Sequence, residues 1–222
     1  MPTTAEFWSQ MGAFNEATLP VQIALSVLAI TLTCFVFAKP NARLNTLTSL
    51  FFSFAFAWNG IVFFLIFAWS VASVVFGVLF IVMAILFALD IFKKKIDFRP
   101  PARRWQRNLT ILLVLLVFLY PVIGMALGHY YPKTCMPMAP CPLTVFAIAL
   151  VSAAIPKVDK KVYVFLLIWA IIGLPKCLGA LNCYEDCVLF AAGIYGLVLL
   201  VKSWKQIGAR AKDGQEAIIS EA

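Results

Sequence analysis

The chain has 222 residues, of which 63% are hydrophobic and only 13% charged, with a mean hydropathy of +0.95. Soluble domains carry about 25% charged residues, so this composition excludes a water-soluble globular protein and makes the bilayer the solvent. Backbone N–H and C=O groups in hydrocarbon must be paired within their own segment, so the long apolar runs are helices. The fold class is an all-α, polytopic membrane helix bundle.

In chain order, Phe7, Trp8, Met11 and Phe14 fall at helical spacing and suit a short helix lying in the membrane interface, with a loose terminus as the alternative. Residues 1–18 are therefore set apart as an N-terminal interfacial segment. The segment lacks the basic start of a signal peptide, and Thr18-Leu19-Pro20 reads as the start of the next helix. The transmembrane domain covers 19–203. Its first span is 19–38, since about 20 residues rise about 30 Å, the thickness of a bilayer core. The apolar stretch from Leu44 to Phe92 holds two crossings, 44–66 and 72–92. Asn59-Gly60 within the first of these suggests an interhelical hydrogen bond and a close helix contact. Asp90, with Lys93 and Lys94 three and four residues on, reads as an interface ion pair.

Lys93, Lys94, Lys95, Arg99, Arg103, Arg104 and Arg107 form the densest basic cluster. Contact with anionic lipid headgroups at this 93–107 loop follows, and nucleic acid is not a partner because aromatic and groove-reading features are missing. The fourth span is 109–127, kinked at Pro121. The fifth, 140–156, has a short apolar run, so it either starts early or is re-entrant. The sixth, 162–178, is interrupted by Pro175. The seventh is 184–203, and 204–222 is a polar cytoplasmic tail.

Placing the N-terminus outside and the C-terminus inside puts every lysine and arginine on the inner side except Lys133 and Lys176. That distribution obeys the positive-inside rule and favours about seven transmembrane helices, N-out and C-in. A re-entrant fifth run would invert all that follows and move the last basic groups to the wrong side.

The same map collects reactive side chains on the outer face. The segment 128–142 carries the one histidine, His129, with Cys135, Cys141 and four prolines. Cys177, Cys183, Glu185, Asp186 and Cys187 lie at the next outer turn, and Glu16 at the first. Only Cys34 stands apart. Disulfides are the first reading on an oxidising side, with Cys135, Cys141, Cys183 and Cys187 as candidates in a connectivity that sequence leaves open. A metal site built from His129, Cys141, Cys183 and Cys187 is the second, because Cys183 and Cys187 share a helical face and the set suits Zn or Cu(I). Thiol–disulfide exchange is the third, although the spacings differ from CxxC. Glu16, His129, Glu185 and Asp186 are the candidates for binding a substrate or ion, because ionisable groups at membrane depth tend to face a cavity. For the acids, helix-start charge favoured by the macrodipole is the plain alternative.

Phe14-Asn15-Glu16 through Pro20-Val21-Gln22, Gly128-His129 through Pro132, Pro140-Cys141-Pro142 with Thr144, and Glu185-Asp186 resemble the recurrent motifs of a bacterial multi-pass membrane family catalogued as a domain of unknown function. The resemblance implies membrane residence and a shared set of Glu16, His129, Cys141, Glu185 and Asp186, and brings no activity. Leu19, Tyr131, Leu143 and the cysteines at 135, 177, 183 and 187 depart from that pattern.

The chain has no Walker loop, no nucleophile elbow and no dinucleotide fingerprint; one histidine cannot ligate haem twice, and the seventh span lacks a lysine for retinal. The expectation is a multi-pass protein of the bacterial inner membrane that binds or passes a small solute or cation at its outer face. A metal-handling or thiol-redox membrane enzyme is the alternative, and a structural subunit that pairs with itself or with membrane-complex partners is the third. No cofactor is readable.

Overall fold

The structure, a computed structural model, describes residues 3–68 and 70–207. Every regular element among the described residues is a helix, and there are no strands among them. Among the described residues, five helices are long and apolar enough to cross a membrane.

Helix α1 runs without interruption from Thr4 to Ala38, about 50 Å at 1.5 Å per residue. Thr3 and Glu6 close a capping box at its start. The expected boundary between an interfacial segment and a first span is absent, because Pro20 lies inside the helix rather than at its start. Phe7, Trp8, Met11 and Phe14 pack into the protein instead of onto lipid. Phe14 meets Phe63 and Phe67 edge to face.

Helix α2, Ala42–Trp58, is capped by Asn41 and continues as a wider π-helical stretch, Asn59–Phe67. Here Gly60 abuts Gly77 of α3 (Val71–Lys93): a Cβ on either would stand 3.1 Å from the other's carbonyl oxygen. That is the expected close contact. Asn59 donates to Met138 O at 3.0 Å and so ties α2 to the connection between α4 (Arg104–Ala126) and α5 (Pro140–Ala153) rather than to another helix. Asp90 does not pair with Lys93 or Lys94. It is buried, and accepts from Ser49 Oγ at 2.9 Å and from the backbone N–H groups of Lys95 and Ile96, holding the chain where it leaves α3.

Helix α4 spans Arg104–Ala126 with Pro121 inside it, α5 spans Pro140–Ala153 and α6 spans Lys160–Ile172. Every residue of α5 is buried, as expected for a helix apolar on all sides and enclosed by neighbours; those neighbours are α2, α4, α6 and α8 (Cys187–Ser203). A short helix α7, Leu174–Cys177, and two single turns link α6 to α8. The seam between α6 and α8 is tight: a Cβ on Gly193 would lie 2.6 Å from that of Ala170.

Polar contacts define two ends. At one, Asp97 accepts from Asn45 at 3.0 Å and from Lys157 at 3.3 Å, Lys95 pairs with Asp159 at 3.2 Å, and the Lys160 ammonium sits over Trp204. At the other, the start of α1 meets the 127–139 connection and the turns around Leu181. Between the ends the surface is apolar, with Ile23, Val27, Leu50, Val78, Leu115 and Leu197 among the exposed side chains. A belt of this kind is what a helical protein presents to lipid. Most of the expected tail, from 208 on, lies outside the described residues.

Candidate functional site

Two buried asparagines fix the connection between α4 and α5. Asn15, on the inner face of α1, donates to Pro132 O at 2.6 Å and Thr134 O at 2.8 Å, and Asn59 holds Met138. Gln22 continues the polar row, donating to Asn15 Oδ1 at 3.0 Å and Thr18 Oγ1 at 2.9 Å. Glu16 is not part of this row. It is exposed on a different face of α1 and has no hydrogen-bond or ion-pair partner among the described residues, so at this position it is the neighbouring Asn15 that reaches the connection.

Held in this way, Cys135 is buried against the turns before α8. The sulfurs of Cys135 and Cys183 and a carboxylate oxygen of Glu185 lie within 4.8 Å of one another, all three residues buried. Glu185 Oε1 contacts His129 Nδ1 at 3.3 Å, and its Oε2 has no hydrogen-bond partner. The His129 ring stacks on Trp8 with centroids 3.8 Å apart, while Trp8 Nε1 donates to Leu181 O at 2.9 Å. Gly124 of α4 makes room, because a Cβ there would stand 2.7 Å from Thr134 Oγ1 and 3.8 Å from Glu185 Oε1.

A second group adjoins the first. The Lys176 ammonium lies 3.5 Å from Asp186 Oδ2 and 3.5 Å from Cys141 Sγ, and over the rings of Phe7 and Trp169. Asp186 is fully buried, and neither carboxylate oxygen accepts a hydrogen bond. Asp186 thus has the partly exposed Lys176 as its counter-ion, whereas Glu185 has no lysine or arginine partner among the described residues. Charge balance at Glu185 falls to His129, when protonated, or to a bound cation.

The same field acts on the thiols. The Cys183 hydrogen bond favours a Cys135 thiolate, but burial and the Asp186 and Glu185 carboxylates outweigh it and push the Cys135 thiol up to about 11. The Cys183 thiol is raised well above its ordinary value by its hydrogen bond to Cys135 and by burial. A cation between them would reverse that penalty, since a metal's own charge dominates the local electrostatics.

The disulfide joins Cys177 to Cys187 and closes the loop that carries Cys183, Glu185 and Asp186. Of the four cysteines expected to pair, Cys187 does so, with a partner outside that set; Cys135, Cys141 and Cys183 are free. The expected metal set is redrawn accordingly. Cys187 is consumed by the disulfide and Cys141 faces Lys176, whereas Cys183 gains Cys135 and Glu185, with His129 behind the carboxylate. Lys176, Asn15 and Trp8 were not among the sequence candidates. Their signals were an isolated outer lysine and the helical phase of α1.

The fold and this centre define a helical membrane protein with a buried thiol–carboxylate cluster at one end. The chain belongs to DUF6064, a family of unknown function, which it matches over residues 4–211. No curated protein and no solved structure matches it.

Proposed function

We propose that the protein binds a soft metal ion, Zn²⁺ or Cu⁺, at Cys135, Cys183 and Glu185 on the outer face of a bacterial inner membrane, crossing it seven times with the N-terminus out and the C-terminus in. The carrying observation is the convergence of two free thiols and a buried carboxylate with an unpartnered oxygen. Zn–S bonds of about 2.3 Å in a tetrahedral site put ligands about 3.8 Å apart, so the group closes on an ion by side-chain shifts of about an ångström or less. Thiolates select such metals over Mg²⁺ or Ca²⁺. His129 supports Glu185 from behind, the arrangement by which outer hydrogen bonds orient a ligand.

The orientation rests on charge. Lys39, Arg43, Lys157 and the 93–107 cluster belong to the end away from Cys135 and Cys183, which the positive-inside rule assigns to the cytoplasm. The basic loop then faces anionic headgroups of the inner leaflet.

The test is metal stoichiometry and competition with a chromophoric chelator, on protein purified with Cys135 and Cys183 reduced. One ion per chain, lost in Cys135→Ser and in Cys183→Ser but kept in Cys34→Ser, is the expected result. Absence of metal from the reduced protein, with Cys135 and Cys183 joined on mild oxidation, would replace this reading with a redox pair.

A further inference from the structure

A cavity of about 230 Å³ adjoins the thiols, between α1, the π-helical end of α2, α3, α6 and α7. Its wall is mainly apolar and includes the rings of Phe7, Phe63, Phe64, Phe76 and Trp169, and Cys135, Cys183 and Lys176 also contribute to it. Glu185 does not. Two of the three proposed metal ligands are therefore lining residues of the cavity, and a molecule lying in it would meet the metal site at Cys135 and Cys183. Zinc sites with three protein ligands and one open position are the ones that accept an exogenous group.

The two parts of the space ask for different chemistry. The wall suits hydrocarbon, and a cavity of about 150 Å³ with apolar walls already takes benzene, so this larger one holds a ring or a short run of methylenes. At the thiol end lies the Lys176 ammonium, already paired with Asp186, and on the metal reading a cation would join it; an anionic oxygen donor is the group such a cation takes.

We propose that the cavity binds an acyl chain ending in a carboxylate, whose oxygen takes the open position on the metal while the chain lies among the aromatic rings. This rests on the metal reading above. It makes the centre a receptor for a hydrophobic acid rather than a closed structural site.

The experiment uses the full chain in phosphatidylcholine nanodiscs, loaded with Co²⁺ in place of zinc, whose thiolate-to-cobalt charge-transfer band reports the site. Octanoate and acetate are titrated at constant ionic strength. The expected result is a spectral change at a concentration at least 10-fold lower for octanoate, with that preference lost in Ala72→Phe and Ala68→Leu, which fill the cavity but leave the ligands in place. Equal response to the two acids, or a preference that survives both substitutions, overturns the inference while the charge-transfer band keeps the metal reading. If no band forms, both fall together.

Discussion

Asn15 donates its side-chain amide to the carbonyls of Pro132 and Thr134 at 2.6 and 2.8 Å, so the first helix holds the strand of chain that presents Cys135. Asn15 is fully buried, and its oxygen in turn accepts from Gln22. Removing it strands two carbonyls and an amide in a buried setting. Asn15→Ala is expected to destabilise the protein by about 1–3 kcal/mol and to weaken metal binding, read as a lower melting temperature in detergent and a lower chelator-competition constant. Glu16→Gln, one residue on, is expected to stay within about 0.5 kcal/mol of wild type in stability, as an exposed substitution away from any special feature. A large effect of Glu16→Gln with a small one of Asn15→Ala would reverse the assignment.

The contrast between these neighbours shows how far the sequence is legible. Continuing the helical phase from Met11 leads to Asn15, Thr18, Gln22, Leu25 and Ala29, all of them buried, and leaves Glu16 facing out. The information was present as periodicity, and weighing residues by chemistry alone passes over it. Apolar length and charge asymmetry give the helices, because every backbone group in lipid must be paired within its segment. Two local features hide from that reasoning. Pro20 is a usual helix start, yet here the helix passes through it, with Trp8 and Phe14 packed into the protein on the far side. Asp90 looks like the partner of Lys93 and Lys94, but Ser49 and two backbone amides reach it first. Cysteine pairing is a tertiary fact, and no spacing rule distinguishes Cys177 with Cys187 from the other combinations.

That pairing has a direct consequence. Denatured without reduction, the protein is expected to titrate four free thiols, Cys34, Cys135, Cys141 and Cys183. Cross-linking a loop of this size contributes up to about 3 kcal/mol in the chain-entropy account. The Cys177→Ser/Cys187→Ser double variant should therefore lose local order around Cys183 and Glu185, seen as faster hydrogen exchange at 178–186 and weaker metal binding. Exchange unchanged from wild type would show that packing alone holds the loop.

At the opposite end, Asp97 predicts a pH dependence. Burial raises its carboxyl, but hydrogen bonds from Asn45 and Lys157 and the charge of Arg99 outweigh that and hold it below its ordinary value of 3.8. A carboxyl depressed in the folded state stabilises above the unfolded value, and that contribution is lost as pH falls through the folded one. Asp97→Asn should thus lower the melting temperature at pH 6, with the gap to wild type closing below about pH 4. The site is partly solvent-screened, so the gap corresponds to less than about 1 kcal/mol. A gap that persists unchanged at pH 3 would mean that the carboxylate's charge is not what holds the 94–103 connection to Asn45 and Lys157.

Gly124 offers the sharpest test that helix α4 shapes the centre. A methyl group there would stand 2.7 Å from Thr134 Oγ1, a hydroxyl with no hydrogen-bond partner, and 3.8 Å from Glu185 Oε1. Gly124→Ala should improve helix propensity yet displace Thr134, and with it the adjoining Cys135. Overpacking of this kind costs about 1–3 kcal/mol, and here it should also weaken metal binding by 10-fold or more. Thr134→Ala removes the obstructing oxygen without breaking a bond, so alone it should change little. In the double variant the added methyl fills the space the hydroxyl left, and binding should return to near wild type. The two residues are in contact, so this non-additivity is the expected signature of a direct clash. Additive losses would instead place the effect of Gly124→Ala elsewhere along α4, and would remove Thr134 from the account of how Cys135 is positioned.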